Sequence, residues 1–177
     1  MIIKFHKVNL KKKFPLQISR GTHSESQNVF IEIIEDGITA WGESAPGKTE
    51  GATSAIEVEE SLVNLIEAGI EGLSIHEVYE KGKELKTPPC ALAGLDIALW
   101  DLKAKINQEP LWQTLGGANI PVNSYASGMD MPQSNESVEN WYKKMATKWG
   151  FTAGKLKVGL DQSADLERIG LMESGLL

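Results

Sequence analysis

The sequence predicts an α+β protein in which a small antiparallel sheet and several helices come first and parallel βα units follow. Three observations support this prediction. Apolar residues alternate with polar ones on both sides of an Asp-Gly pair in the first third of the chain. The apolar period lengthens to three or four residues from Ser54 onward. After Gly117, short apolar segments alternate with helical segments, which is typical of parallel βα units.

The antiparallel sheet is predicted from the segment NVFIEIIEDGITAWGE, in which Val29, Ile31 and Ile33 fall on one face of a strand. Asp36-Gly37 separates this strand from the next, and Asp-Gly between two alternating runs is a strong signal for a tight β-hairpin. The β-forming residues of segment 1–10 indicate a further strand. The first third of the chain is therefore expected to form a small antiparallel sheet.

Two helices are predicted after the sheet. Ser54 and Glu57 have the spacing of a capping box, in which each side chain bonds a backbone amide at the helix start. A second helix is expected over residues 76–86. The apolar stripe predicted for the first of these helices consists of Ile56, Leu62, Val63 and Ile66.

A longer helix is predicted to begin at Pro88-Pro89, because proline is favoured in the first helical turn. Pro110 is expected to open a short helix that ends at Gly116-Gly117. Beyond it, strands are predicted in PVNSYASG and FTAGKLKVG, with helices over residues 136–149 and from about Ser163. The core-facing stripe of the long helix recurs every three or four residues and consists of Leu92, Leu95, Leu99, Leu102 and Ile106.

The composition limits the classes of partner. The 177 residues have a net charge of −6, which argues against nucleic acid or an anionic membrane as the main partner. Cys90 is the single cysteine, so neither a disulfide framework nor a cysteine metal cluster is expected. No apolar run approaches the ~20 residues that cross a bilayer, and the N-terminus lacks a signal-peptide pattern. We therefore expect a cytoplasmic protein that binds neither nucleic acid nor membrane.

The segment GESAPGKT, residues 42–49, matches the phosphate-binding pattern G-x-x-x-x-G-K-[ST]. A functional phosphate loop joins a buried parallel strand directly to a helix whose first amides face the anion. Here the preceding strand belongs to the predicted hairpin, and the next helix signal appears only at Ser54. Glu50 would also place a negative charge beside a bound phosphate. The match is therefore interpreted as coincidental, and the segment as a loop leaving the sheet.

Lys155 and Lys157 are the candidate catalytic residues. Residues two apart in a strand face the same side, so both ammonium groups are expected on one face, with Leu156 and Val158 on the other. In a β/α barrel the lysines would face the axis near the C-terminal end of the strand, where such barrels place their active sites. Repulsion between two ammonium groups favours the neutral amine, which can act as a general base. The alternative is that both lysines lie on the surface of an edge strand.

Four segments together resemble the enolase superfamily, namely FPLQISRGTHSESQNVFIEI, GITAWGE, ALAGLDIALWDLKAKINQEPLWQTLGG and GKLKVG. Within the superfamily the chain is similar to the muconate-lactonizing and mandelate racemase-like members, and among these most of all to the dipeptide epimerases. The resemblance implies an α+β capping domain over residues 1–120. It also implies that residues 121–177 contain the first two strands of a (β/α)7β barrel of the TIM type.

The resemblance further implies a reaction and its residues. Members of the superfamily remove the proton α to a substrate carboxylate and stabilise the resulting enediolate with Mg²⁺. The motif matches Lys157 to the acid/base residue and Lys155 to a neighbour that assists electrostatically. The two capping-domain loops that select the substrate would be residues 18–26 and 45–51. Arg20 and His23 are the candidate substrate-binding residues, and His23 stands where some dipeptide epimerases carry an arginine.

The chain is expected to be truncated relative to a complete barrel. Such barrels take ~250 residues, whereas 57 residues follow residue 120. In the family the carboxylate metal ligands come from the third, fourth and fifth strands and a second acid/base lysine from the sixth. We therefore expect no metal ligand in this chain and no catalysis by the chain alone. The acidic residues after Lys157, predicted in a loop and the next helix, are Asp161, Asp165, Glu167 and Glu173.

The leading hypothesis is the N-terminal portion of a Mg²⁺-dependent epimerase or racemase that acts on a small-molecule carboxylate such as a dipeptide, in a homo-oligomer. A cycloisomerase or an acid-sugar dehydratase of the same superfamily is the alternative among enzymes. A non-catalytic interaction fragment is the alternative outside them, with Trp141, Trp149 and Phe151 as a contact surface. Packing of these three side chains in a core is the simpler interpretation.

Overall fold

A computed structural model describes residues 1–18, 21–47, 51–129, 134–159 and 161–177. Its contacts divide the chain into two compact units, one of residues 1–11 and 25–119 and the other of residues 12–24 and 120–177. The assignment of residues 1–120 to a capping domain and of 121–177 to a barrel stays a prediction.

The elements follow the predicted order of an antiparallel sheet, helices and βα units, which confirms the α+β fold class. Strands β1, β2 and β3 form one sheet in that order, and β4 and β5 form a parallel pair. None of the helices in the described ranges has the length and apolarity that crossing a bilayer requires. The elements are β1 (Ile2–Ile18), β2 (Gly21–Glu35), β3 (Ile38–Ser44), α1 (Ala55–Glu67), α2 (Ile75–Glu84), α3 (Pro89–Ile106), α4 (Leu111–Thr114), β4 (Ala126–Met129), α5 (Asn135–Trp149), β5 (Gly154–Leu156) and α6 (Gln162–Leu176).

The β2–β3 hairpin forms at the predicted turn. The two strands are antiparallel, and Glu35 lies opposite Ile38 across a two-residue connection. Asp36 and Gly37 have φ angles of 48° and 80°, the left-handed conformation that a type I′ turn needs at both central positions. The turn therefore fixes the register that buries one face of β2. That buried face consists of Val29, Ile31 and Ile33.

Helix α3 packs directly against β3 through residues with little or no side chain. A Cβ atom on Gly42 would overlap the carbonyl oxygen of Gly94 and lie 2.8 Å from the Ala98 nitrogen. A Cβ atom on Gly94 would lie 2.7 Å from Ile31 Cδ1 and 3.0 Å from Ser44 Cβ. The helix and the strand can approach this closely only because both positions lack a side chain.

The same helix hydrogen-bonds backbone groups of β3, which is an end strand of its sheet. The Trp41 amide donates to Asp101 Oδ2 over 2.8 Å. Lys105 Nζ donates to the Thr39 carbonyl over 2.9 Å and to Asp101 Oδ2 over 2.7 Å. An end strand normally presents unpaired backbone groups that invite pairing with another chain. Side chains of α3 satisfy two of these groups here.

Helix α1 buries a different stripe from the predicted one. Ile56 is 60% exposed and Val63 is 36% exposed, so these two predictions were wrong. Leu62 is buried as predicted, and Ile66 is partly buried against the core. The sequence carries two apolar stripes with helical spacing, and only the position of the rest of the core selects between them. The buried stripe consists of Ala55, Val58, Leu62 and Leu65.

Helices α1, α2 and α5 begin at serine caps, although the complete capping box is not the predicted one. Ser54 Oγ accepts from the Glu57 amide over 3.2 Å, but the Glu57 carboxylate accepts from the Thr53 amide. In α2 both bonds are present, because the Ser74 amide donates to Glu77 Oε2 over 2.7 Å and the Glu77 amide donates to Ser74 Oγ. These hydrogen bonds from Ser74 lower the pKa of Glu77.

The surroundings of the GESAPGKT segment do not match a phosphate loop. Strand β3 is antiparallel to β2, and α1 begins only at Ala55. The Gly47 amide donates to the Ala52 carbonyl over 2.9 Å, which brings the residues on either side of positions 48–51 together. Residues 48–50, including the lysine of the pattern, lie outside the described residues. The two structural requirements of a phosphate loop are therefore not met.

Substitution Gly42→Ala tests the contact between α3 and β3. We expect it to lower the free energy of unfolding by about 2–3 kcal/mol, because the new methyl group overlaps the α3 backbone rather than a flexible side chain. Urea unfolding followed by circular dichroism measures the loss. Gly170→Ala is the matched control, since a Cβ atom there meets nothing within 4 Å in helix α6. The control should gain about 0.5–1 kcal/mol, and equal stability of the two variants would contradict the close approach.

Candidate active site

The two candidate lysines lie at and just beyond the end of strand β5. The strand pairs in parallel with β4, with Ala126 opposite Gly154 and Ser127 opposite Lys155. Both strands are shorter than predicted, and β5 ends at Leu156. Lys157 therefore follows the last residue of the strand instead of lying within it.

The side chains of this segment divide between the core and the surface. Leu156 packs against the second core cluster, which is built around the buried Val138 and Tyr142. Lys155 is exposed and Lys157 is half-buried. Val158, predicted on the same strand face as Leu156, follows the end of the strand and is 48% exposed. In the described part of the chain, neither lysine ammonium takes part in a hydrogen bond or an ion pair.

Side chains from the flanking helices hold the backbone of the lysine segment. The Tyr142 hydroxyl of α5 donates to the Lys155 carbonyl over 2.7 Å. Arg168 Nη1 of α6 donates to the Lys157 carbonyl over 2.9 Å. Asp165 Oδ2, also of α6, accepts from the Gly159 amide over 2.7 Å. Every second residue from 155 to 159 is thus fixed through its backbone by a helix side chain.

The close packing of the helices on β5 requires a glycine. A Cβ atom on Gly154 would lie 2.5 Å from Tyr142 Cε1 and 2.9 Å from Met172 Sδ. Because Gly154 lacks that atom, the Tyr142 ring lies against the strand and its hydroxyl reaches the Lys155 carbonyl. The residue directly before the lysine motif therefore determines how near α5 can approach.

Helix α6 begins at a carboxylate cap beside the lysine segment. Asp161 Oδ1 accepts from the Ala164 amide over 2.9 Å and from the Ser163 hydroxyl over 2.7 Å. The Ala164 amide, followed by the Ser163 hydroxyl, lowers the pKa of Asp161 because both stabilise the charged carboxylate. The cap fixes the start of the helix that carries Asp165 and Arg168.

Burial governs the ionisation of Tyr142. The side chain has no exposed surface, and its burial raises the pKa of the Tyr142 phenol above the usual value. The positive charge of Arg168 acts in the opposite direction but is the smaller influence. The phenol therefore stays protonated over a wider pH range and keeps donating to the Lys155 carbonyl.

The acidic residues after Lys157 do not form a magnesium site. Asp161 caps α6, and Asp165 bonds the Gly159 amide. Glu167 and Glu173 lie on α6 rather than at the end of a strand. Among the described residues, no group of three or more His, Cys, Asp or Glu side chains could hold a metal ion. Mg²⁺ prefers an octahedron of oxygen ligands, and these carboxylates do not fit it.

Of the two candidate substrate-binding residues, the structure describes His23 alone. Arg20 falls outside the described residues. His23 is exposed and belongs to β2, which begins at Gly21. Residues 21–26 are therefore a strand and not part of the predicted loop 18–26. The structure does not bring His23 into a described contact with the lysine pair.

Sequence reasoning missed Tyr142, Arg168 and Asp165 as parts of the site. Tyr142 lies four residues after the buried Val138, so helical periodicity could have identified it as a core residue but not as the partner of Lys155. Arg168 is buried, and charged residues are rarely buried without a partner. No local pattern in the sequence signals that burial.

The chain combines an antiparallel sheet covered by helices with parallel βα units, and a lysine pair lies at the end of the second parallel strand. This is the arrangement expected for the capping domain and barrel entry of an enolase-superfamily enzyme.

Comparison with known proteins agrees with this class. Residues 2–116 match the family model described as "Mandelate racemase / muconate lactonizing enzyme, N-terminal domain". A hydrophobic dipeptide epimerase from Flavobacteria bacterium (strain MS024-2A) is 54% identical over 112 residues, which are 63% of this chain and 32% of that protein. One from Roseobacter litoralis is 44% identical over 133 residues, 75% of this chain and 38% of that protein. The chain belongs to the mandelate racemase/muconate lactonizing enzyme family of the enolase superfamily.

The similarity extends over nearly the whole chain in three dimensions. The crystal structure of a dipeptide epimerase from Enterococcus faecalis V583, complexed with Mg and the dipeptide L-Leu-L-Tyr, superposes with a TM-score of 0.83 at 26% identity. The match covers 98% of this chain and 49% of that one. The chain thus spans about half the length of this structure and from about a third to two fifths of the two dipeptide epimerases named above. The resemblance to dipeptide epimerases predicted from the sequence is confirmed.

Alkaline pH should weaken the fold through Tyr142. Because its pKa is raised in the folded state, the stability it contributes is fully present below the unfolded value of about 10 and is lost as the pH rises through the folded pKa. Unfolding followed by circular dichroism at increasing pH, beside a titration of tyrosinate absorbance, measures this loss.

Substitution Tyr142→Phe is the control for this titration. It should remove one tyrosine ionisation and much of the alkaline loss of stability. At neutral pH it should cost about 1 kcal/mol through the lost hydrogen bond to Lys155. The same alkaline loss of stability in Tyr142→Phe as in the wild-type protein would contradict the assignment.

Proposed function

We propose that this chain is the N-terminal part of an epimerase that removes the proton α to the carboxylate of a dipeptide. The observation that supports this most directly is the lysine pair at the C-terminal end of the second parallel strand, held by the helices behind it, in a chain whose relatives are dipeptide epimerases. Active sites of β/α barrels occupy this end of the strands.

In the proposed reaction, Lys157 is the base. Its neutral amine accepts the α proton through Nζ, and the electron pair of the broken C–H bond moves toward the carboxylate carbon, which gives an enediolate. Returning a proton to the opposite face inverts the centre, and that proton must come from a second acid. Lys155, two residues away, adds positive charge beside the developing negative charge.

The described carboxylates do not fit Mg²⁺, and no step in this proposal uses the metal. When bound in an enolase-superfamily enzyme, the metal supplies positive charge to the enediolate. We propose that its ligands and the second acid lie outside residues 1–177, so that this polypeptide alone does not catalyse the reaction. The roles of Asp161 and Asp165 in α6 support this, because both carboxylates are already engaged with backbone amides.

We propose that the substrate is a dipeptide with an apolar side chain. This rests on the two relatives that are hydrophobic dipeptide epimerases and on the E. faecalis structure with bound L-Leu-L-Tyr. Arg20 and His23 remain the candidates for contact with the substrate. A cycloisomerase or acid-sugar dehydratase on the same scaffold is the alternative among enzymes.

A non-catalytic interaction fragment is the second candidate function, because Trp149 is 62% exposed. The other two aromatic side chains proposed for such a surface, Trp141 and Phe151, pack against the second core cluster. Lys148 Nζ lies 4.9 Å from the centre of the Trp149 ring, which already gives that ring a partner within the chain. The structure therefore favours core packing for two of the three aromatic residues.

The proposed function is tested by completing the chain. Residues 1–177 are joined to the remaining half of the E. faecalis dipeptide epimerase, and the product is incubated with L-Leu-L-Tyr and Mg²⁺ in D₂O. We expect α-deuterium incorporation by the completed protein and none by residues 1–177 alone. Proton NMR of the α position measures both.

A variant of Lys157 decides whether this chain supplies the base. Lys157→Met in the completed protein should reduce exchange by about 10³-fold or more, because general-base catalysis typically contributes 10²–10⁴-fold. Lys144→Met is the control, since Lys144 is an exposed lysine of α5 outside the lysine segment. Exchange by residues 1–177 alone would refute the inactivity proposal. Full exchange in Lys157→Met would refute the role of Lys157.

A further inference from the structure

Among the described residues, the strand pairing ends one residue before Lys157. The parallel pairing of β4 and β5 runs from Ala126 opposite Gly154 to Met129 opposite Leu156. Within that stretch the backbone is fixed by neighbouring strand groups, such as the Ala126 amide on the Ala153 carbonyl over 2.9 Å. The strand ends at Leu156. The position of Lys157 therefore depends on contacts other than the sheet.

We propose that Arg168 is a positioning residue for Lys157. Arg168 Nη1 donates to the Lys157 carbonyl over 2.9 Å, in place of the backbone donor that a neighbouring strand would supply. The catalytic meaning of this contact rests on the proposed function, whereas the contact itself does not.

The burial of Arg168 shows that the contact is not an incidental surface bond. The side chain is only 3% exposed. Taking a guanidinium out of water is costly unless its donors are satisfied. In the described ranges, Nη1 bonds the Lys157 carbonyl, while Nε and Nη2 are buried without a protein partner. Among the described protein contacts, the hydrogen bond to the Lys157 carbonyl is thus the one that satisfies a donor of the buried Arg168 guanidinium.

A second α6 side chain fixes the chain just beyond Lys157. Asp165, three residues before Arg168 on the same helix, accepts from the Gly159 amide over 2.7 Å. Residues three apart on a helix lie on the same side. Arg168 and Asp165 therefore hold the carbonyl of Lys157 and the amide of Gly159 from one helix face. This restricts both backbone rotations that would swing the Lys157 side chain.

Positioning by Arg168 has a consequence that a purely structural role would not have. Misplacement of a catalytic group by about 1 Å can reduce the rate by about 10²-fold. Loss of the hydrogen bond should therefore change the local accessibility and reactivity of the Lys157 amine selectively. A purely structural arginine would loosen all of α5 and α6 together and would affect Lys155 equally.

The experiment compares the reactivity of the two lysines in residues 1–177. The protein is treated with a limiting amount of acetic anhydride, and modification at Lys155 and Lys157 is quantified by peptide mass spectrometry. We expect Arg168→Met to raise the ratio of modification at Lys157 to that at Lys155 by about three- to tenfold, the range that one hydrogen bond supports. Arg168→Lys, which keeps a charged donor, should restore part of the wild-type ratio.

Leu171→Ala is the matched control. Leu171 lies on the same helix and packs against the same core cluster, but it makes none of the hydrogen bonds to the lysine segment. It should loosen the packing without changing the ratio. An unchanged ratio in Arg168→Met, with hydrogen exchange in α5 and α6 as in the wild type, would overturn the proposal. The proposal would also be overturned if Leu171→Ala raised the ratio of modification at Lys157 to that at Lys155 as much as Arg168→Met does.

A measurement on the wild-type protein decides the case if Arg168→Met does not fold. An NMR correlation across the hydrogen bond, from Arg168 Nη1 to the Lys157 carbonyl carbon, is expected. Guanidinium protons that exchange with water as fast as those of free arginine would overturn the proposal. None of these readouts requires activity, so they judge Arg168 even if the completed protein fails to exchange its substrate.

In the completed protein, Arg168→Lys should lower kcat with little change in KM. The reason is that Arg168 touches the backbone of the base and not the substrate. A rise in KM with unchanged kcat would count against the positioning role.

Discussion

Both sheets of this protein depend on helix side chains to satisfy backbone groups that no neighbouring strand reaches. In the first unit, Asp101 and Lys105 of α3 bond the Trp41 amide and the Thr39 carbonyl of β3. In the second unit, side chains of α5 and α6 bond three backbone groups between residues 155 and 159. A buried backbone group without a partner costs about as much as a lost hydrogen bond. The bonds to the Lys155 and Lys157 carbonyls are partly buried, whereas those to Trp41, Thr39 and Gly159 are exposed, so this cost applies mainly to the second unit.

Features that depend on neighbours in the sequence could be predicted. The Asp36-Gly37 turn, the serine caps and the start of α3 at Pro89 are local, because turn chemistry and capping act within four or five residues. The long apolar stripe of α3 could also be predicted, because apolar residues that recur every three or four positions mark the core-facing side of a helix. Its last member, Ile106, is nevertheless half exposed, because it is the final residue of the helix.

Features that depend on distant contacts could not be predicted. Helix α1 offers two apolar stripes, and the choice of Val58 and Leu65 over Ile56 and Val63 is made by packing against other elements. At the candidate site, the K-x-K pattern located the lysines, but the end of β5 at Leu156 depends on where β4 stops pairing. The partners Tyr142 and Arg168 come from helices on either side of the strand, and no spacing rule links them to the motif.

The role proposed for Lys157 places two demands on this segment that usually conflict. A general base must be held in one place, yet its amine must remain accessible to gain and lose a proton. Here the backbone on either side of Leu156 is fixed by the buried Tyr142 and Arg168, while Leu156 itself enters the core. The ammonium groups of Lys155 and Lys157 have no hydrogen-bonding or ionic partner in the described part of the chain and so stay available. The contacts from Tyr142 and Arg168 act on the carbonyl oxygens of Lys155 and Lys157 and therefore leave the two amines unengaged. The backbone is thus fixed from the core side of the strand, and under the proposed function the chemistry belongs to the two amines.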